Sequence, residues 1–507
     1  MRTYLPLILL LFSASSILWG QSPSTLGDTT RTGQLNEIVI SAQRSPTERF
    51  QTPEAISVVT NSGLIRSQSR TSPEALQFSP GVFVQKTNHG GGSPFVRGLT
   101  GNQTLLLIDG IRLSNATFRY GPNQYFNTLD VFDLSRIEVL RGSGSVQYGS
   151  DALGGAIQAF SRPLRLNAGQ PQWNGKVLLR GTTRDMEQST HADLAWSGRR
   201  FALGGGMSLR RFGDLVGGDT SGRQAPSGYR EYNYDLKAKW MLAPGAVLTL
   251  VHQNTQQLHV PVYHKVQLEN FAVNEFDPQR RALSYARFEQ NIQRGIWEKW
   301  AFTTSWQQTE EGRRSRKNNS AIRREENDRV GSLGMNTQFD HRFNARWTAN
   351  SGAEAYWEQV QSTRVDIDEN TGQQTAKRGL YPDGARLENY ALYSLHTFDW
   401  RPWTLTAGAR WNAYVIRVSE AALGEGETLL RPSALVGNLA VMRHIAPQIN
   451  LFASVNTGFR APNIDDLGTL GIVDFRFEVP NYNLRPEKST QIQVGGKWRS
   501  EGMEAEL

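Results

Sequence analysis

Residues 403–413 read Trp-Thr-Leu-Thr-Ala-Gly-Ala-Arg-Trp-Asn-Ala, and their alternation decides the fold class. Trp403, Leu405, Ala407, Ala409, Trp411 and Ala413 fall on one face, while Thr404, Thr406, Arg410 and Asn412 fall on the other. Successive side chains of a strand point to opposite faces, so the stretch is one strand with an apolar side and a polar side. Phe201, Leu203, Gly205, Met207 and Leu209 alternate in the same way against Ser208 and Arg210. Ile492, Val494, Gly496 and Trp498 do so against Gln491, Gln493, Lys497 and Arg499. Period two held over about ten residues is the length of a tilted strand that crosses a bilayer.

Working outward, strands are predicted at 174–184, 189–198, 201–212, 229–241, 245–256, 281–291, 295–308, 329–342, 345–358, 385–399, 403–416, 430–443, 448–458 and 488–499, with a fifteenth begun at 503–507. Short connections alternate with long ones. Ser197-Gly198-Arg199-Arg200, Ala243-Pro244-Gly245, Phe343-Asn344 and Arg401-Pro402 are tight, whereas 213–228, 257–280, 309–328, 359–384 and 459–487 are long and polar. Bacterial transmembrane barrels have this asymmetry, with short turns toward the periplasm and long loops outside. The expected fold class is therefore mainly β, with an antiparallel transmembrane barrel over 170–507. A barrel in lipid closes to leave no unpaired edge, so an even, larger number of strands is expected and the barrel reads as incomplete at its C-terminus. On that reading the sequence is a fragment or early-terminated product of a longer chain.

Composition fits a barrel and excludes other classes. Only 38% of the 507 residues are hydrophobic and the mean hydropathy is −0.48, which excludes a bundle of spanning helices of about 20 apolar residues each. Alternating strands average to such a polar score. Trp240, Trp300, Trp347, Trp400, Trp403 and Trp498 lie near predicted strand ends, where interfacial girdles sit. The chain has no cysteine, so disulfides, thiolate metal sites and cysteine nucleophiles are excluded. The net charge of +8 is dispersed over strands and loops rather than set on a reading helix, and no nucleic-acid partner is expected. No pair of convergent carboxylates suggests sugar hydrolysis, and no enzyme activity is expected.

The first 165 residues differ. Arg2, an apolar stretch from Tyr4 to Phe12 and the small-residue end Leu18-Trp19-Gly20 make 1–20 a secretory signal peptide. Residues 21–44 form a polar, aperiodic lead containing a β-branched island, Leu35-Asn36-Glu37-Ile38-Val39-Ile40-Ser41-Ala42. Residues 45–165 show a compact α+β pattern, with strands at 56–60, 81–85, 105–108 and 137–140 and a helix at 73–78 that Ser72 would cap.

Here the residues reach a family. Glu37-Ile38-Val39-Ile40-Ser41 resembles the TonB box. Arg97-Gly98, Leu107-Ile108-Asp109-Gly110-Ile111-Arg112, Ile137-Glu138-Val139-Leu140-Arg141-Gly142 and the run Gln147 to Ile157 resemble plug motifs of TonB-dependent outer-membrane receptors. Gly458-Phe459-Arg460-Ala461-Pro462-Asn463 and Asn481-Tyr482-Asn483-Leu484-Arg485-Pro486 resemble the paired boxes bracketing an outer loop in that family. The resemblance implies a plug (45–165) inside a barrel of about 22 strands, and TonB-driven uptake of a scarce, bulky ligand through the outer membrane. Glu37, Ile38, Val39, Ile40 and Ser41 would be gripped by TonB, a role suited to β-branched residues that add as a strand to a partner's sheet edge. Arg97, Asp109, Arg112, Glu138 and Arg141 are expected to pair with barrel charges and seat the plug. Phe459, Arg460, Pro462, Asn481 and Leu484 are expected to be structural.

Ligand chemistry is carried by fewer residues. Gly90-Gly91-Gly92-Ser93-Pro94 can form an apical loop whose N–H groups suit an anion. His89, Gly91, Gly92, Ser93, His259 and His264 form a candidate set for haem or a ferric chelate, since neutral imidazole coordinates haem iron. Residues 463–480 hold no His where haem receptors usually carry one. Arg313 and Arg314, on the expected outer loop 309–328, could steer an anionic chelate or meet lipopolysaccharide phosphates. A ferric siderophore or haem is the expected cargo, with no intrinsic cofactor and no protein-held metal. Cobalamin or another nutrient is the alternative, and a surface-binding barrel fragment that transports nothing is a further one.

Overall fold

The computed structural model describes residues 38–41, 44–86, 90–420, 426–473, 476–500 and 503–507. The expected signal peptide, most of the lead, Glu37 and His89 lie outside the described residues. Among those residues the chain builds one antiparallel sheet of 18 strands and, in front of it in sequence, a small mixed domain with a 5-stranded sheet.

Fourteen strands of the large sheet are long, from Gln172–Thr182 to Glu487–Ser500, and Met503–Glu506 begins another. Three short pieces, Val260–Pro261, Gln374–Arg378 and Glu427–Leu430, pair with long strands at the end away from the short turns. Faces follow the alternation: Thr404, Thr406, Arg410 and Asn412 are buried toward the lumen, whereas Trp403 and Trp411 face outward. Leu435, Ile492 and Val494 keep three quarters or more of their surface. An apolar exterior over a polar lumen is the inverse of a soluble core and is what lipid selects.

Two of the expected long loops are not loops. Trp297–Lys317 and Ile322–Asn344 run as partners to a turn at 318–321, and Trp347–Asp368 rises beside them. At 21 to 23 residues these strands are about twice the length that crosses a bilayer. The polar composition of 309–328 and 359–384 was misleading because its charges pair across strands: Arg313 with Asp328, Arg329 with Glu310 at 2.8 Å, and Arg316 with Glu369 at 3.2 Å. Opposite charges on facing strands stabilise a ladder, so a charged segment need not be a loop.

In the small domain the sheet order is Ala55–Thr60, Leu134–Arg141, Gly155–Ser161, Thr104–Ile108 and Ile111–Arg112. Thr104–Ile108, fourth in that order between Gly155–Ser161 and Ile111–Arg112, is buried at every position, as expected for a strand covered on both faces. The helix expected at 73–78 is a single 3-10 turn, Glu74–Leu76. Ser72 does not cap it, because its hydroxyl donates to the Leu129 carbonyl at 2.8 Å. This domain fills the lumen, with Phe126, Ile137 and Val139 at its core beside the barrel's Val251, Leu283 and Tyr285.

Candidate functional site

The short-turn end of the barrel receives the first described residues. Ile38–Val39 pairs with Thr47–Glu48, which folds the segment into a hairpin. Val39 is buried among Ile56, Leu105, Leu107 and Leu140, while Ile38 stays half exposed. The next two N–H groups, of Ile40 and Ser41, donate to one oxygen of Glu138 at 2.9 and 2.8 Å, and the Ser41 hydroxyl joins them at 2.7 Å. Glu138 is fully buried, and its other oxygen lies 2.8 Å from Arg136 Nε. One carboxylate thus gathers three donors and a cation, and such charge-assisted bonds are roughly twice as strong as neutral ones.

Three residues further on, Arg44 bridges the plug and the barrel wall. Its guanidinium pairs with Glu354 on the strand Trp347–Asp368, donates to the Gln147 carbonyl at 3.0 Å and lies over the rings of Tyr148 and Tyr393. Glu354 is also held by Arg410 at 2.5 Å, on the strand quoted at the outset. Gln338 Nε2 donates to the Arg44 carbonyl at 2.8 Å. A single buried carboxylate therefore sits between one guanidinium of the barrel and one of the entering segment. Arg401 reaching Gln51 at 2.8 Å and Asn450 reaching the Phe50 carbonyl at 2.9 Å fix this as the end with the short turns.

At the opposite end the loop after Ile449–Arg460 folds back onto the plug. A short helix, Ile464–Gly468, begins with a reciprocal cap, the Asn463 side chain accepting from the Asp466 N–H and the Asp466 side chain from the Asn463 N–H. The Ile464 N–H donates to the Ala116 carbonyl at 2.8 Å and Asn463 Nδ2 to the Phe118 carbonyl at 2.8 Å. Asp465 accepts from the Tyr120 N–H at 3.3 Å and from the Tyr381 hydroxyl at 3.2 Å. Burial, with Asp466 adding to it, pushes the Asp465 carboxyl up to about 7. Arg460 spans Asp466 at 2.5 Å and Glu487 at 2.7 Å, which ties together the two boxes of the loop. Phe459 is buried, Pro462 lines a small cavity beside Arg112, Asn481 donates its N–H to the Leu467 carbonyl at 2.9 Å, and Leu484 packs on the same apolar cluster.

The five plug charges divide. Arg141 reaches the barrel at Glu506, 2.5 Å away, and Asp109 accepts from the Tyr285 hydroxyl at 3.2 Å. Arg112 instead pairs within the plug, with Asp151 at 2.5 Å, and Glu138 serves the entering segment. Arg97 turns the chain at φ +51, its N–H donating to the Gly81 carbonyl, and is exposed. The expectation that all five pair with barrel charges is thus corrected: of the five, Arg141 meets a barrel charge, and Asp109 meets a barrel hydroxyl. The larger plug-to-barrel links are Arg119 to Glu311 at 2.5 Å and Lys237 to Asp133 at 2.5 Å, both hidden from a linear reading by their separation in sequence.

The ligand candidates are partly brought together. Gly92 and Ser93 are buried in the strand Gly92–Val96, where the Ser93 hydroxyl is shared with Thr100 at 2.9 Å and the Asn123 N–H at 3.2 Å. They do not form an open anion cradle, and only Gly91 of the glycines keeps part of its surface. Gly90 approaches the barrel loop so closely that a Cβ there would lie 2.5 Å from Val260 Cγ1. The plug apex therefore abuts the loop that carries His259. His259 Nδ1 lies 3.3 Å from both Glu275 and Asp277. Arg314 holds the same two carboxylates at 3.1 Å each. His264, on the helix Tyr263–Leu268, is 3.9 Å from Glu269. Arg313 and Arg314 sit on a strand rather than a loop, and each is paired with acids, so neither offers a free cation for steering.

Comparison with known proteins follows the same division of the chain. The family description "TonB-dependent Receptor Plug Domain" matches residues 48–156, and "TonB dependent receptor-like, beta-barrel" matches 182–507. The vitamin B12 transporter BtuB of Vibrio cholerae is 23% identical over 495 residues, covering 93% of this chain and 70% of its own length. An iron-regulated outer membrane virulence protein of Vibrio cholerae is 37% identical over 134 residues, which is 25% of this chain and 19% of that one. Among solved structures, the copper transporter OprC superposes with a TM-score of 0.72 at 17% identity, over 85% of this chain and 66% of its own. The ferric citrate transporter FecA does so with 0.69 at 18%, over 89% and 68%. The Serratia marcescens hemophore receptor HasR, in complex with its hemophore HasA and heme, does so with 0.70 at 17%, over 89% and 70%. At these identities the structural likeness concerns the fold.

Proposed function

This chain belongs to the TonB-dependent receptors of the outer membrane, and from that premise we propose that it takes up a ferric siderophore or haem, bound at the outer mouth and released inward when TonB pulls on Ile38–Ser41. The observation that carries the reading is the seating of that segment: a half-exposed strand at the periplasmic end, held by one buried carboxylate in the plug and one in the barrel wall. A strand edge that a partner can grip, fastened by a few charged contacts, is what a pull can release without unfolding the barrel.

Iron cargo is supported by the outer mouth, where His259 stands next to Val260, against which the plug's Gly90 packs, and by the ferric citrate and hemophore receptors among the structural neighbours. Cobalamin is the second reading, favoured by the likeness to BtuB along 93% of the chain. Lipopolysaccharide is proposed as a neighbour of the outward ion pairs on the tall strands, such as Arg329 with Glu310.

Growth rescue decides between these readings. In a host lacking its own receptors, production of this chain is expected to restore growth on haem or on one ferric chelate of a panel, in a TonB-dependent way. Rescue by cyanocobalamin alone would favour the second reading, and rescue by nothing in the panel would overturn the uptake proposal.

A further inference from the structure

The barrel loop that abuts the plug apex carries a cluster that neither the fold nor the uptake reading uses. The strand Ala246–Leu258 runs into His259, whose backbone turns at φ +54 before Val260–Pro261 pairs with Phe276 and Glu275 of Phe271–Arg294. There the imidazole meets two acids. His259 Nδ1 lies 3.3 Å from Glu275 Oε1 and 3.3 Å from Asp277 Oδ2, and the His259 N–H donates to the other oxygen of Asp277 at 3.4 Å. The three donor atoms all lie within 4.8 Å of one another, and among the described residues no other group of three ligating side chains converges this closely. One cation already attends them. Arg314, directly opposite Glu275 in the neighbouring strand, reaches both acids through Nη1 at 3.1 Å each, and its Nε lies 3.4 Å from Glu325.

We propose that His259, Glu275 and Asp277 hold a divalent transition-metal ion of the zinc class, and that Arg314 is the counter-ion that yields to it. Zinc takes imidazole nitrogen at about 2.0–2.1 Å and carboxylate oxygen at about 2.0–2.2 Å, so neighbouring donors of a tetrahedral site stand roughly 3.4 Å apart. The two N···O separations of 3.3 Å match that edge. A dication balances both carboxylates, which one guanidinium does not, and Glu325 is at hand to receive Arg314 once it is displaced. Imidazole in the donor set selects zinc or copper over calcium and magnesium, which take oxygen ligands. The His259 side chain keeps 59% of its surface, so a fourth position is open to water or to a donor oxygen of whatever the mouth receives. The assignment goes beyond the uptake reading and holds for any cargo. By tying His259 to Asp277, 18 positions later, the ion clamps the loop whose Val260 packs on Gly90 of the plug.

Zinc itself is the probe. The full chain, untagged and in detergent, is stripped with a chelator and titrated with Zn²⁺ by calorimetry, and each variant is compared only where its heat-modifiable gel mobility equals the parent's. One Zn²⁺ per chain is expected, with X-ray absorption showing a shell of nitrogen and oxygen at about 2.0–2.2 Å and the outer scattering of one imidazole. His259→Ala, Glu275→Gln and Asp277→Asn should each weaken binding by at least about tenfold, whereas Glu269→Gln, an acid of the same loop outside the set, should not. Arg314→Gln should tighten it by about tenfold, because the competing positive charge is gone. With Zn²⁺ bound, tryptic cleavage at Lys265, on the helix that the clamp encloses, should slow by about tenfold in the parent and not in His259→Ala. Calcium bound in preference to zinc, zinc binding that survives His259→Ala, or binding weakened by Arg314→Gln overturns the assignment. Absence of Zn²⁺ binding in both the parent and Arg314→Gln overturns it too. None of these readouts involves transport, so their failure leaves the uptake reading to the growth assay.

Discussion

The plug is fastened at both ends, and the two fastenings differ in kind. At the periplasmic end a hairpin of two-residue strands hangs on Glu138 and, through Arg44, on the Glu354–Arg410 pair. At the outer end a capped helix lies on residues 115–120 through backbone and side-chain hydrogen bonds, with Ile464 and Leu467 fully buried beneath it. The first fastening rests on a few carboxylates, Glu138 in the plug, Glu354 in the barrel wall and Glu48 of the hairpin, which pairs with Arg499 at 2.5 Å. The second spreads it over many modest contacts, each net hydrogen bond contributing about 1 kcal/mol.

The largest expected effect comes from denying the inner end its grip. Ile38→Pro removes a ladder donor and fixes φ at the one half-exposed residue of the pair Ile38 with Glu48. Uptake of the compound that rescues growth should fall to background, with its binding to whole cells unchanged because the outer fastening is untouched. Loss of binding in the same variant would show that the two ends are not separable.

Next in size is the barrel half of the inner fastening. Glu354→Gln leaves Arg44 and Arg410 facing each other without a carboxylate, and an uncompensated buried charge costs about 3–5 kcal/mol. Arg44→Ala should cost less, because Glu354 keeps Arg410 at 2.5 Å. Limited proteolysis near residues 38–46 in outer-membrane vesicles should then proceed fastest in Glu354→Gln, more slowly in Arg44→Ala and most slowly in the parent. Equal resistance in all three would mean that the hairpin is held by Val39, Glu138 and the Glu48–Arg499 pair without help from Arg44.

What the sequence made legible divides along the same line. Strand alternation declared the faces of the barrel, because lipid on one side and a polar lumen on the other impose period two on every crossing strand. Arg410 was visible as a charge on a lumen face, and such a charge requires a partner, yet nothing local says that the partner is Glu354, 56 positions earlier. Arg44 looked like the end of a polar lead. The charged run 309–328 read as a loop, since composition records that charges are present and not that Arg313 meets Asp328 across a turn. The apical glycines read as an anion cradle, whereas Gly92 is packed on Pro73 and Asn127. Periodic features survive reduction to one dimension; pairings between distant residues do not.

The smallest effect separates the two ends by pH. Asp465, in the outer helix, has its carboxyl pushed up to about 7 by burial, against about 3.9 for an exposed Asp. Its folded value is the higher one, so seating the loop takes up a proton between those limits. The docked state is therefore most favoured below about pH 4, weakens as pH rises toward 7 and is constant at its lower level above that. Hydrogen exchange at Ile464, whose N–H donates to the Ala116 carbonyl at 2.8 Å, reads this directly once corrected for the intrinsic pH dependence of exchange. Protection should decline from pH 5.5 to pH 8, and Asp465→Asn, neutral throughout, should hold it level. A rise in protection with pH, or an unchanged slope in the variant, would place the pH response elsewhere in the loop.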